Sequence, residues 1–385
     1  MGGMSDVKIT VAIDSFKGSL SSQEAGEAVR EAAGAVYPDA VVSVIPLADG
    51  GEGTAEALLA ARGGRVRTVT VSGPLGKKVD ASYSILPDNT AVIEMSAAAG
   101  ITLISDKERD PIRATTFGVG ELLSDAIGEG CRKLIVGIGG SATNDGGAGM
   151  LAALGYKLLD KEENPIPIGA SGLSVLEGID LSQADPRVKE CDILVACDVE
   201  NPLVGPLGAS AVFGPQKGAS TEDVKLLDGW LSKFASITKE TLGVDHSADK
   251  GAGAAGGLGF ALIAYLGARL TSGIELVMRE SGLEKHIIDS DIVFTGEGRL
   301  DRQSAMGKAP AGVAKLAKKH GKPVIALSGA VAEGAEGLHT QGVDAYFPIA
   351  HGACSLAEAM DKPTAFRNLK RTAEQVLRLW RAAGK

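Results

Sequence analysis

The acidic residues of this chain that could do chemistry fall just behind short apolar runs. Asp14 follows the run 7–13, Asp49 and Glu52 follow 41–47, Asp198 follows 193–196, and Glu297 and Asp301 follow 291–294. Lys17, Lys217 and Arg299 stand in the same kinds of loop. Carboxylates that can hold Mg²⁺, a base near an attacking hydroxyl and cations facing a transferring charge are the parts that phosphoryl transfer requires. A plainer reading competes at each position, because a lone Asp after a strand commonly caps the following helix. Asp14 suits such a cap. Asp198 does not, because Val199-Glu200-Asn201-Pro202 is a poor helix start.

Glycine supplies the second signal. Gly137, Gly139, Gly140, Gly146, Gly147 and Gly149 cluster around one segment, and Gly251, Gly253, Gly256, Gly257 and Gly259 around another. The third cluster is Asp49-Gly50-Gly51-Glu52-Gly53. Gly251-Ala252-Gly253-Ala254-Ala255-Gly256 is a literal G-x-G-x-x-G, but the polar stretch 246–250 before it is not a strand, so the dinucleotide fingerprint lacks its context. Gly137-Ile138-Gly139-Gly140-Ser141-Ala142 does follow a strand-like run, yet Asn144-Asp145-Gly146-Gly147 interrupts the helix that should receive a pyrophosphate. A nicotinamide-dependent hydroxy-acid oxidoreductase therefore stands as an alternative. The loop 139–144 offers consecutive backbone N–H groups and three polar side chains, which suits phosphate; a tight turn needing positive φ is the plainer account. No phosphate-loop motif, serine-hydrolase elbow or histidine metal spacing occurs.

Composition narrows the partners. The 385 residues include 52 glycines, but 44% are hydrophobic and only 15 are proline, which excludes collagen-like and disordered classes. A net charge of -9 argues against nucleic acid, and aromatics at 4% leave few stacking platforms. No apolar run is long enough to span a membrane. The start, Met1-Gly2-Gly3-Met4-Ser5-Asp6, lacks the pattern of a signal peptide, and Met1 to Met4 reads as a start-site extension. Cys131, Cys191, Cys197 and Cys354 form no C-x-x-C pair and read as reduced thiols. A cytoplasmic protein is expected.

These residues need a scaffold. Strands at 7–13, 41–47, 133–138, 291–294 and 323–327 alternate with helices at 25–34, 54–61 and 307–320, the pattern of a parallel sheet with ligand loops at its strand C-termini. Residues 71–84 read as a hairpin, 92–94, 193–196 and 211–213 as further strands, and 367–385 as a surface helix. The fold class is α/β: a doubly wound, mostly parallel, Rossmann-like domain made of residues 1–72 and 283–385. An α+β domain, residues 73–282, is inserted in it; the unit at 133–138 fits either.

Together the motifs identify a family. Ala12-Ile13-Asp14-Ser15-Phe16-Lys17, Ala48-Asp49-Gly50-Gly51-Glu52-Gly53-Thr54 and Gly137-Ile138-Gly139-Gly140-Ser141-Ala142-Thr143-Asn144-Asp145-Gly146-Gly147 resemble the bacterial glycerate kinase type-1 family. So do Ala196-Cys197-Asp198-Val199-Glu200-Asn201-Pro202-Leu203, Phe213-Gly214-Pro215-Gln216-Lys217-Gly218-Ala219, Gly251-Ala252-Gly253-Ala254-Ala255-Gly256-Gly257 and Thr295-Gly296-Glu297-Gly298-Arg299-Leu300-Asp301. The one visible departure is Ile13, where the family pattern has proline. The resemblance implies a kinase that uses ATP and Mg²⁺ to phosphorylate D-glycerate, with 2-phosphoglycerate the usual product and 3-phosphoglycerate the alternative. It also implies a two-domain fold with the active-site cleft between the domains, and a monomer or homodimer is expected. Within it we expect Asp198, Lys17 and Arg299 to be catalytic. Gly139, Gly140, Ser141, Thr143, Gly253, Gly256 and Gly257 are expected to hold the nucleotide, and Asp14, Ser15, Asn144 and Lys217 the substrate. Asp49, Glu52, Glu297 and Asp301 are expected to lie near the metal.

Overall fold

The computed structural model describes residues 6–384; the N-terminal readings at Met1 to Ser5 and the last residue of the C-terminal helix, Lys385, lie outside the described residues. The strands are β1 (Lys8–Ile13), β2 (Val41–Val44), β3 (Arg65–Ser72), β4 (Lys78–Ile85), β5 (Thr90–Glu94), β6 (Lys133–Gly137) and β7 (Lys157–Leu159). They continue with β8 (Gly178–Asp180), β9 (Asp192–Ala196), β10 (Arg269–Thr271), β11 (Ile292–Leu300), β12 (Val324–Val331) and β13 (Ala345–Pro348).

The chain divides into two compact units: residues 1–49, 56–62 and 274–385 form the first, and 50–55 with 63–273 the second. The division expected at 72/73 and 282/283 differs at both ends. β3 belongs to the second unit because all eight of its residues pair with β4. The stretch 274–282, mostly helix Gly273–Glu280, clusters with the first. The strand at 133–137 lies in the second unit.

The first unit is a five-stranded, wholly parallel sheet in the order β13-β12-β11-β1-β2. β1 reads Lys-Ile-Thr-Val-Ala-Ile and buries every residue after the first, as a central strand covered on both faces must. Helix Ser22–Val36 places Ala25, Ala28, Val29, Ala32, Ala33 and Val36 on one buried stripe at helical spacing. That stripe joins Val11, Phe294 and the C-terminal helix residues Leu369, Ala373 and Leu377 in one core. A capping box starts the helix: Ser21 Oγ accepts from Glu24 N at 3.2 Å and Glu24 Oε2 accepts from Ser21 N at 3.0 Å. Ser21→Ala is expected to cost about 1 kcal/mol in urea unfolding, with activity unchanged.

The second unit is built on a mixed six-stranded sheet, β10-β9-β6-β5-β4-β3, parallel from β10 to β5 and antiparallel beyond, with the two-stranded β7-β8 ribbon apart. The hairpin expected at 71–84 is present as β3–β4, closed by Gly73 N donating to Lys77 O. Residues 211–213 are not a strand; they end the helix Ala209–Phe213. Three residues carry no period of their own, and the neighbouring Gly208-Ala209-Ser210 starts a helical turn.

Candidate active site

In the first unit the chain runs outward from β1 to β2 on one side and from β11 through β12 to β13 on the other. The strand order therefore reverses between β1 and β11, where an open parallel sheet offers its ligand crevice at the strand C-termini. Asp14 leaves β1 at that point, with its N–H donating to Gly296 O at 2.9 Å. It does not cap the following helix, since Ser21 fills that role. Its side chain is 4% exposed and accepts from Ser15 N at 2.6 Å. Burial, reinforced by the negative charges of Asp49 and Glu297, pushes the Asp14 carboxyl up to about 7, against the opposing pull of Ser15 N–H and Lys17. An acid raised toward neutrality among like charges is suited to proton transfer.

Glu297 and Arg299 were expected in a loop but lie within β11, which runs on to Leu300. Glu297 is buried and its Oε1 has no hydrogen-bond partner. Burial first, then the charges of Asp301 and Asp49, raises its carboxyl above the ordinary range, while the Ser304 hydroxyl and Lys308 oppose. Arg299 is exposed, with Nε 3.9 Å from Asp301 Oδ2, and Lys17 is exposed with Nζ 3.6 Å from Asp49 Oδ2. Such surface pairs are weak, so both cations are available to a more strongly charged ligand. Asp301 Oδ1 accepts from Gln303 N and Ser304 N, which shapes the turn after β11.

In the second unit the loop after β6 carries Gly139, Gly140, Ser141, Thr143 and Asn144. Gly140 takes φ 71, and Ile101 N and Ala142 N bridge the loop to residues 99–101 through Gly140 O and Ala99 O. Asn144 and Thr143 are fully buried; Asn144 Nδ2 donates to Ser210 Oγ at 2.9 Å, while Asn144 Oδ1 and Thr143 Oγ1 have no partner. Lys217 is 2% exposed and donates to Ser141 Oγ and Thr143 O, both at 2.7 Å, so its ammonium faces the protein interior.

Gly253, Gly256 and Gly257 are buried, and a side chain at any of them would strike neighbouring chain: Pro202 O at 2.2 Å, Thr143 O at 2.0 Å and Gly146 Cα at 2.8 Å. Close backbone packing demands these glycines, and Gly253 N is already spent on Asn201 O. Asp198 is exposed, with Oδ1 accepting from Gly273 N at 3.0 Å. Glu52, also exposed, belongs to this unit, where its charge helps raise Glu94 after burial, the larger cause.

Two side chains gained importance only here. Glu94, at the end of β5, accepts from Ala55 N at 2.8 Å and so anchors the 50–55 segment. Asp145, fully buried, accepts from the N–H groups of Thr116, Gly147 and Gly149 and from the Thr116 hydroxyl. A carboxylate ending an apolar run would have pointed to Glu94; Asp145 offered only its place among glycines.

Residues 9–381 match the model of the glycerate kinase family. The chain belongs to that family. It is 51% identical over 354 residues to a glycerate 2-kinase of Escherichia coli K12, covering 92% of this chain and 93% of that protein. It is 46% identical over 371 residues to a glycerate kinase of Bacillus subtilis 168, with 96% and 97% covered. A crystal structure of a candidate glycerate kinase 2 from Salmonella typhimurium LT2 superposes with a TM-score of 0.90 at 45% identity, covering 99% of this chain and all of that one. Membership of the glycerate kinase family makes the chain an enzyme, a kinase with ATP as phosphoryl donor, and the oxidoreductase alternative gains no support from these relatives. Among the described residues no helix is long and apolar enough to cross a membrane.

Proposed function

We propose that this enzyme transfers the γ-phosphoryl group of ATP to the 2-hydroxyl of D-glycerate, giving 2-phosphoglycerate and ADP in the cytoplasm. The observation that carries the chemical part is Asp14, a buried carboxyl pushed up to about 7 at the reversal point of a parallel sheet. Phosphoryl transfer asks little covalent chemistry of the protein, so positioning and charge dominate and one base serves the hydroxyl proton. Asp14 takes that proton in this reading, in place of Asp198, whose carboxylate is engaged with Gly273 N. Lys17 and Arg299 grip anionic oxygens of the substrates, and the amides of 139–141 receive phosphate oxygens.

Among the described residues no group of three or more His, Cys, Asp or Glu side chains is arranged to hold a metal ion. Mg²⁺ bound through one or two carboxylates, phosphates and waters needs no such cage. The unpartnered, buried Oε1 of Glu297 fits that mode, with Asp49 as the second carboxylate. When bound, Mg²⁺ would neutralise phosphate charge.

Incubation with ATP, Mg²⁺ and D-glycerate, followed by ³¹P–¹H correlation, is expected to couple the new phosphorus to the C2 proton. Coupling to the C3 protons would replace this reading with the 3-phosphoglycerate product, and no ADP release with either substrate enantiomer would remove it.

A further inference from the structure

Lys217 sits in the turn Pro215–Lys217 with no solvent contact of consequence, an uncommon place for lysine unless its charge is paired. Burial pushes its ammonium down to about 7, against the pull of Asp145, whose own oxygens accept from five groups of Thr115, Thr116, Gly147 and Gly149. Charged or neutral, the amine keeps N–H donors. Both of its acceptors lie on one short segment, Ser141 Oγ at its start and Thr143 O at its end, more than seventy residues away in sequence. At the start of that segment the amide nitrogens of Gly139, Gly140 and Ser141 make no hydrogen bond within the protein among the described residues, and Gly140 has φ 71, a left-handed conformation of the kind used in backbone anion nests.

We propose that Lys217 is a positioning residue: it acts through residues 141–143, holding the free amides of 139–141 in the shape that receives the nucleotide's phosphate oxygens, and does not itself touch substrate. This rests on the reading of that loop as the phosphate site. The geometry favours it over a direct contact, because the ammonium has its two bonds and faces the interior, while Gly140 is exposed.

The test is a double-mutant cycle of Lys217→Met and Ser141→Ala in the full chain, read by calorimetric titration with Mg·ADP and by steady-state kinetics. Lys217→Met is expected to weaken Mg·ADP binding about tenfold or more, with the D-glycerate KM moving less than about threefold. Ser141→Ala alone is expected to weaken Mg·ADP by about threefold, and to add almost nothing on the Lys217→Met background, because both remove one contact. Lys217→Gln, which keeps N–H donors without charge, is expected to recover part of the affinity, and it replaces Lys217→Met in the cycle should that variant fail to fold. Additive effects in every parameter overturn the proposal, as does a rise confined to the D-glycerate KM without coupling to Ser141. Coupled effects that land on the D-glycerate KM instead keep Lys217 as the anchor of the loop and overturn the phosphate reading.

Discussion

Replacing Asp14 by asparagine is expected to lower kcat by about 10²–10⁴-fold, the usual worth of a positioned general base. The variant keeps the size of the side chain while removing its basicity and its negative charge. In the native enzyme kcat/KM is expected to rise with pH through about 7, because a general base acts in its deprotonated form and the Asp14 carboxyl is raised to about 7. That limb should vanish in Asp14→Asn and persist in Asp198→Asn; the opposite pattern would return the proton to Asp198. Stability moves the other way. The folded pKa, about 7, lies above the ordinary 3.8, so the folded state holds a proton that the unfolded chain has released between those values. The contribution of Asp14 to stability is therefore expected to fall as pH rises from about 4 through 7. Asp14→Asn should escape that loss, so its urea midpoint at pH 8 should equal or exceed that of the native chain. A variant that is both inactive and less stable at pH 8 would mark Asp14 as structural.

Gly256→Ala is expected to be strongly destabilising, because it combines a backbone clash with a left-handed conformation. Its Cβ would stand 2.0 Å from Thr143 O and 2.6 Å from Asn144 Cα, both backbone atoms that no side-chain rotation can clear. The residue also holds φ 68, and its carbonyl accepts from Gly146 N. Left-handed strain and overpacking together amount to about 2–5 kcal/mol. Gly267 is the control: it has φ 64 but open space around it, so Gly267→Ala should cost only about 1 kcal/mol. Equal losses for the two variants in urea unfolding would show that conformation alone, and not the approach to 143–144, requires glycine at 256. Because the struck atoms belong to the loop after β6, Gly256→Ala is also expected to weaken nucleotide binding.

The central strands could be read in advance because β1, β6, β9 and the first three residues of β11 form apolar runs, as strands covered on both faces must. Helix Ser22–Val36 was equally legible, since its small residues repeat at helical spacing behind a serine cap. Residues 211–213 were not, because a three-residue apolar stretch fits strand and helix alike and the turn begun at Gly208 decides. The unit boundaries escaped for a related reason: pairing of β3 with β4 is a hydrogen-bonding choice that composition does not record.

For the site, residue types and order sufficed to name the carboxylates, the cations and the glycine loops, and through them the family. Roles within that set depend on burial and on charges brought from far along the chain. Asp14 is raised by burial first and then by Asp49 and Glu297, and Lys217 is bonded inward to Ser141 and Thr143. The glycines at 253, 256 and 257, expected to hold the nucleotide, stand where the chain packs closely against Pro202, Thr143 and Gly146. Local sequence determined the strands, their polar ends and the chemistry available there, because periodicity and residue type are local properties. Only the tertiary structure decided which carboxyl is buried and raised, which lysine is hidden and which glycines are closely packed, because desolvation and Coulomb coupling exist only after distant segments meet.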